Sequence, residues 1–183
     1  MVLLSLQEYD KKIAPFLRNG VIIDTSVILE ILKGVIYTQR NTSDTGWKTE
    51  YEKIVNLLEL IKLTDWRKFF LTPHVMTETC AHINNGYNSD RDFEEIVRKV
   101  MAIVKDTQEQ QVNKKDFMGR IDYRPQMVLE PGDLSIYAIA DSFQEGKKRI
   151  AILAKDEGFS TKYQQSPYVM VIDYRLLMEL ETD

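Results

Sequence analysis

Four acidic residues, far apart in the chain, stand beside apolar segments, and carboxylates in that pattern could share a metal ion. Asp24 and Asp156 follow short apolar runs that are typical of buried strands. Glu78 falls within a predicted helix, and Asp133 lies at the start of another. Carboxylates brought close together repel one another unless hard cations such as Mg²⁺ or Mn²⁺ bind between them. Such ions bind phosphate oxygens and activate water, so the pattern favours phosphodiester hydrolysis.

Each of these acids also has an ordinary structural interpretation. Asp24 could cap a helix, and Asp133 in a first helical turn could interact with the free backbone amides there. Glu78 could be a solvated helix residue, and Asp156 before a glycine suits a turn. Only the ordered set of four favours a functional site.

Composition narrows the choice of metal but not of partner. The single cysteine, Cys80, cannot form an internal disulfide, and two histidines make a thiolate and imidazole zinc site improbable. The formal charge is −4, from 28 acidic and 24 basic residues. A metal bound by the four candidate acids would offset their charge, so the net value neither supports nor excludes nucleic acid as a partner.

Strands and helices are predicted to alternate along the chain, with a polar loop over residues 39–47 and an irregular segment over residues 116–130. The predicted strands are Val21–Ile23, Lys68–Thr72, Ile150–Ala154 and Tyr168–Ile172. The predicted helices are Leu4–Leu17, one after Asp24 closing at Gly34, Tyr51–Leu63, one from Pro73 to about Gly86, one or two between Asp90 and Gln111, Pro131–Gly146, and Asp173–Leu180.

This order predicts an α/β fold, with a mostly parallel sheet and helices on both faces. Ligands in such sheets bind beyond the carboxyl ends of the strands, where Asp24 and Asp156 are expected. The length of 183 residues suits a single domain. No apolar run reaches the length of a membrane span, and Met1–Leu6 lacks a basic flank, so we expect a cytoplasmic protein.

Four segments of the chain resemble the ordered motifs of the PIN-domain family, a superfamily of metal-dependent nucleases that includes the toxins of many prokaryotic toxin–antitoxin pairs. Val21–Ser26 resembles the opening strand with its first acid, and Pro73–Glu78 resembles the second motif. Asp133–Ala140 is similar to the third motif and Ile152–Phe159 to the fourth. One departure is Ala154, where the family often has a hydroxyl residue.

The resemblance implies a PIN-like three-layer sandwich over residues 1–183, with helical additions around residues 36–66 and 84–119. It implies an endoribonuclease that hydrolyses single-stranded RNA, and a toxin whose partner is an antitoxin protein; homodimers are usual in the family. The implied catalytic residues and ligands of Mg²⁺ or Mn²⁺ are Asp24, Glu78, Asp133 and Asp156. Ser26 would help to position the water or the metal. Lys155 could contact a substrate phosphate or point to solvent.

Two other interpretations are disfavoured by the residues around Asp24, and a third stays open. A phospho-acceptor signalling domain shares the alternating order of elements, but Asp24 lacks the adjacent second acid expected there. A phosphatase with an aspartate nucleophile would need a second aspartate at position 26, where Ser26 stands. A PIN-like module that binds RNA or protein without cleavage would keep the same acidic set.

Overall fold

The computed structural model describes residues 6–40, 46–87, 93–118, 130–155 and 157–175. Five strands form one parallel sheet in the order β3-β2-β1-β4-β5. The strands are β1 Val21–Ile23, β2 Phe69–Leu71, β3 Gln108–Glu109, β4 Ile150–Ala154 and β5 Val169–Asp173. The helices are α1 Leu6–Leu17, α2 Thr25–Arg40, α3 Gly46–Leu60, α4 Pro73–Tyr87, α5 Phe93–Asp106, α6 Lys114–Met118, α7 Pro131–Glu145 and α8 Glu157–Tyr163.

The predicted α/β architecture is confirmed, because the sheet is parallel and helices flank it in a three-layer arrangement. Strand β1 lies at the centre, where Val21 pairs with Phe69 of β2 on one side and with Ala151 of β4 on the other. Every residue of β1, β2 and β4 is buried. Strands covered on both faces are expected to be uninterrupted apolar runs, and these three are.

The predicted end of the second helix at Gly34 is wrong, because α2 continues to Arg40. A Cβ atom at position 34 would lie 2.0 Å from Cγ of Tyr51, so the glycine lets α3 pack against α2. The predicted loop over residues 39–47 is also wrong at both ends, since α2 includes Gln39 and α3 begins at Gly46. Residues 41–45 lie outside the described part of the chain.

Several short elements were not predicted. Strand β3 consists of two exposed polar residues, which give no apolar signal, and α8 is only seven residues long. Helix α6 continues to Met118 and so overlaps the segment predicted to be irregular, residues 116–130. Residues 119–129 of that segment lie outside the described residues. Asp173 was assigned to a terminal helix, but it is the last residue of β5 and pairs with Ala154.

The hydrophobic core joins the buried strands to the inner faces of the helices in one continuous cluster. Its largest fully buried side chains include Phe69, Phe159 and Tyr174. Over the described residues, no helix has the length and hydrophobicity needed to cross a membrane.

Candidate active site

An open cleft of about 380 Å³ lies at the carboxyl ends of the central strands. On one side of β1 the sheet continues to β2 and β3, and on the other side to β4 and β5, so the strand order reverses there. Open parallel sheets bind ligands at such a reversal point. Asp24 directly follows β1 and Lys155 directly follows β4, and both residues line the cleft.

Asp24 caps α2 and lines the cleft at the same time. Its backbone N–H donates to the carbonyl of Leu153 at 3.1 Å, which extends the pairing of β1 with β4. Its Oδ2 accepts hydrogen bonds from the backbone N–H of Ser26, at 3.2 Å, and from the Ser26 hydroxyl. The side chain is buried, with only 7% of the residue exposed. The capping interpretation is therefore correct as geometry, and it leaves the carboxylate at the cleft.

Glu78 reaches the cleft from α4 and is crowded by other acids. The buried Thr25 hydroxyl donates to its Oε2 at 3.2 Å, and Nε2 of His82 lies 3.9 Å from its Oε1. Burial raises the pKa of the Glu78 carboxyl above its ordinary value. The negative charges of Asp24 and Glu130 raise it further, while the Thr25 hydrogen bond and His82 oppose the shift. The surroundings in the cleft therefore disfavour the negatively charged form of Glu78.

Asp133 lies in the first turn of α7, and the glycine before it brings this helix close to Glu78. A Cβ atom at position 132 would lie 2.2 Å from Oε2 of Glu78. Any other residue at Gly132 would displace the Glu78 carboxylate. The absence of a side chain there is what allows Glu78 to approach the amino end of α7.

Two buried hydroxyls fix α7 against α4. The Thr72 oxygen accepts the N–H of Val75 at 3.0 Å and lies 2.7 Å from the Ser135 oxygen. Because the Ser135 hydroxyl donates to the carbonyl of Gly132 at 2.6 Å, the Thr72 hydroxyl must donate to Ser135. Each donor in this series of hydrogen bonds thus has an acceptor, and the bonds hold the amino ends of α4 and α7 in a fixed relative position.

Five of the six residues predicted for the site line this one cleft, although they come from distant parts of the sequence. They are Asp24, Ser26, Glu78, Asp133 and Lys155. The sixth, Asp156, lies outside the described residues. Their roles as metal ligands, catalysts or substrate contacts stay predictions.

Sequence reasoning missed other charged residues of the cleft. Glu30 and Lys33 of α2 line it and pair with each other at 2.9 Å. They follow Ser26 at helical spacing, which was an available signal. Glu130 occupies the N-cap position of α7 and also lines the cleft. It had been placed at the end of an irregular segment, so only the tertiary structure reveals it.

The donor set of the cleft suits a hard divalent cation, because its acids offer only oxygen ligands. Asp24, Glu78 and Asp133 are the described residues that would hold such an ion. The pKa of Glu78 is raised by burial first and then by the charges of Asp24 and Glu130, and a cation would offset those charges. Among the described residues, however, no three His, Cys, Asp or Glu side chains are already placed to bind one metal ion.

Comparisons with protein-family models and with curated protein sequences find no match to this chain. A solved structure of VapBC2 from Rickettsia felis, bound to a DNA fragment from the VapBC2 promoter, is similar to this chain with a TM-score of 0.47. The two chains are 11% identical, over 84% of this chain and 97% of the other. Similarity at this level does not establish a shared family or activity.

Proposed function

We propose that this protein is a metal-dependent endoribonuclease that hydrolyses phosphodiester bonds in single-stranded RNA. The supporting observation is that Asp24, Glu78 and Asp133, from three distant segments, line one cleft at the carboxyl edge of the sheet. An all-carboxylate set favours Mg²⁺ or Mn²⁺ over softer metals.

The residues of the cleft divide between holding the cation and attracting the substrate. Asp24, Glu78 and Asp133 would hold Mg²⁺ or Mn²⁺, with Asp156 as the fourth acid of the proposed set. When bound, the ion would supply an activated water and offset charge at the phosphate. Lys33 and Lys155 lie in the same cleft and carry the positive charge that would attract the RNA backbone.

A role as the toxin of a toxin–antitoxin pair belongs to the same proposal. It rests on the resemblance of Val21–Ser26, Pro73–Glu78, Asp133–Ala140 and Ile152–Phe159 to PIN-domain motifs. The proposed partners are an antitoxin protein that covers the acidic cleft and a second copy of this chain in a homodimer.

A second candidate function is a PIN-like module that binds RNA or protein without cleaving it. One observation favours it: the described residues hold no three acids already placed as ligands of one metal ion. Measurement of turnover separates the two candidates.

The decisive experiment compares cleavage of a labelled single-stranded RNA by the wild type and by Asp24→Asn, with added Mg²⁺ or Mn²⁺ and with a chelator. Asparagine can still accept the Ser26 N–H, so the cap of α2 is retained. We expect the variant to lose activity by about a hundredfold or more, the scale for removal of one electrostatic group from an active site. Asp106→Asn, on an exposed acid outside the cleft, is the matched control and should cut normally.

Equal cleavage by Asp24→Asn and the wild type would reject the proposed site. RNA binding by the wild type without cleavage in either metal would support the second candidate instead.

A further inference from the structure

The chain contains the local sequence Asp-aromatic-Arg three times. Asp122–Arg124 lies outside the described residues, and the structure describes two copies, Asp65–Arg67 and Asp173–Arg175. In both copies the arginine folds back onto the aspartate two residues earlier. Asp65 Oδ1 accepts the backbone N–H of Arg67 at 3.0 Å and its Nε at 2.9 Å. The corresponding distances from Asp173 Oδ1 to Arg175 are both 2.9 Å. The two copies therefore make the same local ion pair.

The surroundings of the two pairs differ. The side chains of Arg67 and Asp65 are 78% and 39% exposed, so this pair lies on the surface. Those of Arg175 and Asp173 are 34% and 7% exposed. An exposed ion pair contributes little to the stability of the fold. A partly buried ion pair holds its two groups in one geometry, because water competes less for their hydrogen bonds.

Among the described residues, Arg175 makes one contact that has no counterpart at Arg67. Its Nη2 donates to the backbone carbonyl of Lys155 at 2.6 Å. The ladder between β4 and β5 ends at the pair of Ala154 and Asp173, so Lys155 is the first residue beyond it. The guanidinium thus continues the link between the two strands by one residue, at the edge of the sheet that carries the cleft.

We propose that Arg175 is a positioning residue, which holds the backbone of Lys155 so that the Lys155 side chain contacts a phosphate of the bound RNA. Lys155 lines the cleft together with Asp24, Glu78 and Asp133. The phosphate contact rests on the proposed nuclease function. The positioning of Lys155 by Arg175 rests on the hydrogen bond alone.

The shape of the arginine side chain suits this position. Its planar guanidinium donates in fixed directions, so it binds the Asp173 carboxylate and the Lys155 carbonyl together. A lysine would keep the positive charge but offers a single nitrogen. Arg175→Lys therefore removes the geometry and leaves the charge, and Arg67→Lys makes the same change in the pair that does not reach the cleft.

The first experiment measures binding of a short single-stranded RNA at several salt concentrations, with Ca²⁺ to occupy the cleft without supporting turnover. We expect Arg175→Lys to weaken binding about tenfold, the scale of one hydrogen bond in which a charged group takes part. The plot of log affinity against log salt should lose about 0.7 from its slope, the value for one phosphate contact in a single strand. Lys155→Gln should do the same, and Arg67→Lys should change neither quantity.

The double variant decides whether the two residues act together. If Arg175 acts through Lys155, the variant carrying both Arg175→Lys and Lys155→Gln binds no more weakly than Lys155→Gln alone. Additive losses, or wild-type binding by Arg175→Lys, would overturn the proposal.

Hydrogen exchange keeps the positioning role testable if the wild type binds no RNA. The backbone amides of β4 and Lys155 should exchange faster in Arg175→Lys than in Arg67→Lys. Faster exchange without RNA binding would uphold the positioning of Lys155 and reject both the phosphate contact and the proposed function. Equal exchange in the two variants would reject the positioning.

Discussion

At the scale of single residues, the cleft depends on what is missing from one position as much as on its acids. Gly132 carries no side chain, and the Glu78 carboxylate occupies the space where a Cβ would stand. Burial, and then the negative charges of Asp24 and Glu130, disfavour the charged form of Glu78. A cation bound beside these carboxylates would favour the charged form of Glu78.

Gly132→Ala should therefore damage activity while leaving the fold intact. The new Cβ would approach Oε2 of Glu78 to 2.2 Å, and this flexible side chain would swing away at small cost. We expect at least about a tenfold loss of metal-dependent cleavage, since a displacement of about 1 Å can cost about a hundredfold. The free energy of unfolding, measured by urea denaturation, should stay within about 1 kcal/mol of the wild type.

Gly86→Ala is the matched control, because a Cβ at this other helical glycine meets nothing within 4 Å. It should stabilise the protein by up to about 1 kcal/mol and leave cleavage unchanged. Full activity in Gly132→Ala would show that the close approach of Glu78 to α7 is not needed.

At the scale of elements, the contact of α2 with α3 depends on Gly34 in the middle of a helix. The Tyr51 ring of α3 fills the space beside this glycine. We expect Gly34→Ala to destabilise the protein by about 2 kcal/mol through overpacking, although alanine is the better helix former. In a Tyr51→Ala background the same change should cost much less, because the ring has been removed. Equilibrium denaturation of the four proteins measures both values, and a stabilising Gly34→Ala would contradict this packing.

The same glycine shows where sequence reasoning about elements succeeds and fails. Strands β1, β2 and β4 were predictable because burial on both faces leaves continuous apolar runs. Gly34 was taken as a helix end because glycine is common at helix ends. In the structure it lies inside α2, where the Tyr51 side chain of α3 leaves no room for a Cβ atom. Strand β3 gave no signal, because its two polar residues are exposed at the edge of the sheet.

The residues of the site that follow strands were predictable from the sequence, and those that join it through long-range contacts were not. Asp24 and Lys155 follow strands, so the architecture of a parallel sheet places them at one edge. Glu130 and Arg175 belong to the surroundings of the cleft through contacts between distant segments. Such contacts leave no periodic pattern in the sequence, and so neither residue was predicted.

At the scale of the whole molecule, a cation bound in the cleft should stabilise the fold. The acids of the cleft come from distant segments and meet only in the folded chain. A ligand that binds only the folded state adds about 2.7 kcal/mol of stability at a concentration of 100 times its dissociation constant. We expect Mg²⁺ or Mn²⁺ to raise the urea midpoint of the wild type and of Asp106→Asn, and to raise that of Asp24→Asn much less. An equal rise in all three proteins would place the bound ion elsewhere.

The central position of β1 has a consequence for the order in which the sheet is completed during synthesis. Val21 leaves the ribosome early, but one of its two partners, Ala151, is made only near the end of the described chain. One hydrogen-bonding edge of an apolar strand therefore stays open while most of the polypeptide is translated. Pairing at such long sequence separation slows folding, and the unpaired edge leaves the nascent chain exposed to aggregation until β4 has been made.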